Sequence, residues 1–152
     1  MEVFAPCIEY VKGLCEKAVE GSDPMPTVRV GWPTSEKNFL VYVVEDPQSV
    51  EYTDLTTSHV TAMGKAQGLY RVEFSVGVQM LATRRDAESA SKLVLGWYEA
   101  LVAEVARDKT LGGLCSHARP FFSSGATGVR DKQVINAIEG GVRIKADFDP
   151  TK

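Results

Sequence analysis

Few residues in this chain have the type and spacing that chemistry requires. The clearest pair is Cys115 and His117, two positions apart; Cys7 and Cys15 are the other thiols and His59 the other imidazole. A Cys-x-His step supplies two metal ligands where zinc takes three or four, so His59 or a carboxylate would have to complete the set from elsewhere in the fold. As a nucleophile and base the two lack a third group to orient them. The ordinary reading makes Cys115 a plain strand residue. Leu111-Gly112-Gly113-Leu114 has the glycines of a phosphate cradle in the wrong place, because anion-binding glycines precede a helix and these follow one. They read as a turn. Asp86 and Asp108 stand at the two ends of one predicted helix and form no acid pair. No GxSxG, Walker or HExxH pattern occurs. No catalytic residue, metal site or cofactor is therefore assigned.

The elements that would position any site are more legible. Tyr70, Val72, Phe74, Val76, Val78, Met80 and Ala82 alternate with Arg71, Glu73, Ser75, Gly77 and Gln79, which predicts a strand with one buried and one wet face. Asp86 is suited to cap the helix that follows, and Glu88 lies in its first turn. Ala87, Ala90, Val94, Trp97, Leu101 and Val105 form the apolar face of a helix over 87–108, widened by Leu93, Tyr98 and Val102, with Gly112-Gly113 as its stop. A first helix is predicted over 3–20 from Phe4, Cys7, Ile8, Val11, Leu14, Cys15 and Ala18, with Gly21 ending it. Cys7 and Cys15 read as small core residues.

Short strands are predicted over 28–32, stopped by Pro33, and over 39–44, closed by Asp46-Pro47. Residues 48–68 form a long polar segment in which 50–52 and 59–61 could pair, and 121–130 reads as a second loop rich in Gly, Ser and Thr. Mobile arms are accordingly expected at 46–68 and 121–133. Val134 to Ile138 reads as a strand, Gly140-Gly141 as a tight turn or bulge, and 142–148 as a last edge strand with one buried face. The expected class is α+β: a mostly antiparallel sheet with an N-terminal helix and a long central helix packed on one face.

The totals bound the answer. A chain of 152 residues with 44% hydrophobic and 24% charged content predicts one domain spanning 1–152. The net charge of −3 and the pI near 5.4 argue against a phosphate-binding surface as the main business. Three cysteines without a framework suggest reduced thiols in a cytosolic setting. No signal-peptide pattern opens the chain and no run of 18 apolar residues suggests a membrane span. Aromatic residues in or beside turns are candidates for contact surfaces.

Three features together resemble the tail terminator, or tail-completion, proteins of long-tailed bacteriophages. They are the helix at 3–20, the alternating strand at 69–82 running into the helix at 87–108, and the exit Ala106-Arg107-Asp108-Lys109-Thr110-Leu111-Gly112-Gly113-Leu114. A closing strand at 142–148 also fits. The resemblance implies a non-enzymatic virion protein, assembled in the host cytoplasm, that forms a homo-oligomeric ring, usually a hexamer, in the tail neck. Its implied partners are further copies of itself, the tail tube protein and the head-tail connector protein, with no membrane and no sequence-specific nucleic acid. Candidate interface residues, taken from loop position, are Trp32, Tyr52, His59, Arg84, Arg85, Phe121, Phe122 and Arg143. Two other readings stay open: another head-tail connector or minor virion component, and a small ligand-binding or enzymatic α+β domain with a pocket between the long helix and the sheet.

Overall fold

A computed structural model describes residues 2–23, 25–31, 40–55, 69–130 and 132–151. Two helices pack on one face of a five-stranded sheet ordered β1-β2-β3-β5-β4. Helix α1 (Phe4–Val19) buries Cys7, Ile8, Val11, Leu14, Cys15 and Val19, a stripe set by spacings of three and four. Gly21 then takes a left-handed φ of 79°, which reverses the chain toward β1 (Thr27–Val30).

The long strand is β3 (Tyr70–Arg84). Its even residues from Val72 to Ala82 are fully buried beneath the helices, and Phe4 of α1 meets Phe74 edge-on at 4.9 Å. Asp86 caps helix α2 (Ala87–Arg107) by accepting from the backbone N–H of Ser89 at 2.8 Å and from its hydroxyl at 3.0 Å. Ala90, Val94, Trp97, Leu101 and Val105 form the buried stripe of α2. The Trp97 indole N–H donates to Ser22 Oγ at 2.9 Å, tying α2 to the turn after α1. The α+β class with both helices on one face of a mostly antiparallel sheet is thus the observed architecture.

Four local expectations are corrected. Strand β2 does not close at Asp46-Pro47 but runs from Leu40 to Asp54, with register shifts at Val44/Pro47 and Gln48/Glu51 that absorb the proline. Residues 121–130 are not a loop. They belong to strand β4 (His117–Arg130), which pairs with β5 (Gln133–Phe148) along its whole length. Its Gly, Ser, Ala and Thr residues have little intrinsic strand preference, and pairing to a long partner overrides it.

Of the two readings of Gly140-Gly141 the turn fails, because β5 passes straight through it, while a register shift does lie opposite, between Phe122 and Ser124 of β4. A Cβ at Gly140 would lie 2.6 Å from the Phe121 carbonyl oxygen, and one at Gly141 would lie 2.2 Å from that of Val76. The glycines let three strands approach closely. Finally, 142–148 is not an edge. Strand β5 sits between β3 and β4, and β4 is the edge. Alternation reports that one face is wet, which is equally true of a central strand in a sheet covered on one side. One pairing is parallel, β1 beside Val41–Val44 of β2.

Candidate interaction surfaces

The exit from α2 shows why the Cys115 and His117 pair is not assembled for chemistry. The Asp108 carboxylate accepts a hydrogen bond from the Tyr10 hydroxyl and another from the Gly112 backbone N–H at 2.9 Å. These bonds hold its carboxyl below the ordinary range and push the Tyr10 phenol up. The turn they pin has left-handed φ values of 49° at Leu111, 67° at Gly112 and 91° at Gly113. Leu111 tolerates the strain because its side chain is fully buried. Cys115 falls in this turn rather than in a strand, with its Sγ 3.9 Å from the Lys109 carbonyl oxygen, and burial pushes its thiol up to about 11. His117 is exposed at the start of β4, opposite Lys145. Burial likewise raises the thiol of Cys7, and raises that of Cys15 to about 12. A thiol held protonated is neither a nucleophile nor a ready ligand. Among the described residues no three metal-ligating side chains come together.

The face of the sheet away from the helices is divided along the strands. Toward the Tyr70 end it carries ionic groups: Arg71 is paired with Asp147 at 2.8 Å, and Glu73 lies 3.9 Å from Arg143 and 3.8 Å from Lys145. Arg143 also donates to Ser75 Oγ at 3.1 Å and to the Ser49 carbonyl at 2.9 Å, the latter offered by the second irregularity of β2, where Ser49 has a φ of 52°. Toward the Arg84 end the same face turns apolar, with Leu81 level with Ala137 and Ala126, and Ile135 level with Gly128.

The β4 edge continues this change. From Phe121 to Val129 its nine residues carry no charge. Phe122 is half exposed and stacks edge-on against Tyr98 of α2 at 5.4 Å, and Val129 is 76% exposed. At this end Arg84, Arg85 and Lys132 have no carboxylate within ion-pairing distance among the described residues, and Arg84 donates only to the Thr83 carbonyl.

The opposite end holds a cavity of about 340 Å³ lined by Glu2, Val3, Phe4, Ala5, Tyr52, Val72 and Phe148. The Tyr52 and Phe148 rings lie 6.2 Å apart, and Tyr52 is 57% exposed. A larger cleft of about 690 Å³ lies between α1 and β1, with Lys12, Glu16, Lys17 and Glu20 on one wall and Met25 to Val28 on the other.

The residues expected at an interface therefore do not form one site. Tyr52 is at the cavity end, Arg84 and Arg85 at the opposite end, Phe121 and Phe122 midway along β4, and Arg143 on the open face. Trp32 and His59 lie outside the described residues, as does most of the segment expected to be an arm at 46–68. Val129 and the Phe4–Phe148 lining were missed. No Asn-Gly or Asp-Gly hairpin signal stands between Arg130 and Gln133, although Lys132 takes a φ of 63°, so nothing in the sequence marks Val129 as a tip residue. No protein-family model matches the chain, and no curated protein matches it.

Proposed function

We propose that this chain is a non-enzymatic structural protein of a tailed-phage virion that assembles with copies of itself into a ring, in the manner of tail terminators. The reading assigns it to the neck, where it caps the tail tube and joins it to the head, with the tube protein on one side and the connector on the other. The supporting observation is the β4 edge. An edge run of nine residues, 121–129, with neither charge nor proline and no strand on its outer side among the described residues is a template for another chain, and monomeric proteins normally guard such edges with lysine, proline or short length. Its only proline, Pro120, lies before the uncharged run.

Light scattering of the purified protein over a wide concentration range, followed by negative-stain microscopy, tests the reading. Closed rings of about six subunits are expected, since a cyclic assembly repeats one heterologous contact. Rings should then cosediment with purified tail tubes. A strict monomer that also fails to bind tubes would remove the proposal. The two clefts keep a ligand-binding domain as the second reading, which predicts a monomer or dimer whose unfolding temperature rises with a bound small molecule.

A further inference from the structure

We infer that successive copies join head to tail, the β4–β5 hairpin tip of one copy seating Val129 in the Tyr52–Phe148 cavity of the next. The inference rests on the self-assembly reading and names the contact it would use. The two surfaces lie at opposite ends of the sheet. Val129 is opposite Val134, which is opposite Arg84, the last residue of β3. The cavity closes around Val72 and Phe148 beside Tyr70, the first residue of β3. At about 3.3 Å per residue, 15 residues of β3 separate the ends by roughly 45 Å. The tip of a single copy therefore cannot reach its own cavity.

Shape and charge agree independently. The tip offers an apolar side chain, 76% exposed, among the cations Arg84, Arg85 and Lys132. The cavity is apolar and aromatic, with room for a valine side chain and its flanks, and Glu2 stands in its wall. An apolar knob flanked by cations thus faces an apolar hole that carries a glutamate. Such a contact joins different patches of two copies, so it propagates, and it closes into a ring when the rotation per copy allows.

Two variants at exposed positions separate the halves. Val129→Asp spoils the tip and keeps the cavity; Ala5→Trp fills the cavity and keeps the tip. Each alone should associate at least about tenfold more weakly than the parent, the scale of losing one anchoring side chain. Mixed in equal amounts they should form a dimer and nothing larger, because one intact tip meets one intact cavity. Circular dichroism establishes that both fold as the parent does. Should Val129→Asp fold poorly, the double charge variant Arg85→Glu with Lys132→Glu tests the same tip and should weaken association similarly. Parent-like assembly of either variant alone, or a mixture that stays monomeric, overturns the tip-to-cavity contact and leaves the ring reading standing. A parent chain that is monomeric at every concentration and on tail tubes overturns both.

Discussion

At the scale of single residues the molecule invests its polar bonds in holding turns. The Tyr10–Asp108 bond and the Asp108 bond to Gly112 fix the α2 exit, and the ionisation of both partners follows from it. The Asp108 carboxyl titrates below its ordinary range when folded, so its contribution is complete above that range and is lost as pH falls through the folded value. Tyr10 titrates above its ordinary value of about 10, so its contribution is complete below about pH 10 and is lost as pH rises further. Tyr10→Phe should therefore flatten both the acid and the alkaline limb of a curve of unfolding temperature against pH, and an unchanged curve would refute the coupling. Asp86→Ala should lower the unfolding temperature, since the first turn of α2 loses its acceptor for Ser89 N–H. Phe74→Ala in the core should cost about 3–5 kcal/mol in denaturant unfolding.

At the scale of elements, legibility followed what leaves a mark in one dimension. Both helices and β3 were plain, because a helix stripe and a half-buried strand each impose a period on side chains. The Asp86 cap was plain for the same local reason. Strand β4 was not, since Phe121 to Val129 owes its conformation to partners 5 to 20 residues further along the chain rather than to its own Ser, Gly and Ala residues. Gly140-Gly141 misled in the other direction, because glycine marks a close approach of backbones as often as a turn. The distinction is testable. Gly141→Ala forces a Cβ against the Val76 carbonyl oxygen and should destabilise by about 3 kcal/mol, whereas the same change at the open turn glycine Gly113 should cost only the left-handed strain of about 1 kcal/mol. The candidate surfaces were legible only in part. Tyr52, Arg84, Arg85 and Phe122 were picked for lying near turns, but nothing local says that Tyr52 and Arg84 occupy opposite ends of one sheet. That fact belongs to strand order.

At the scale of the whole molecule the net charge of −3 hides a division. Arg84, Arg85 and Lys132, cations without an ion-pair partner among the described residues, gather at one end and Glu2 lines the cavity at the other, so end-to-end association should weaken as salt rises from about 0.05 M to about 0.5 M, where exposed charges are screened within several ångströms. Association that strengthens with salt would assign the contact to apolar burial alone. Strand order has a temporal consequence as well. Strand β5, the last in sequence, fills the place between β3 and β4. While the chain is being synthesised, β3 lacks its longest partner and β4 has no neighbour at all, so the sheet and its uncharged edge come into being only after Phe148 has left the ribosome. The surface proposed to recruit other copies is thus withheld until β5 has docked between β3 and β4.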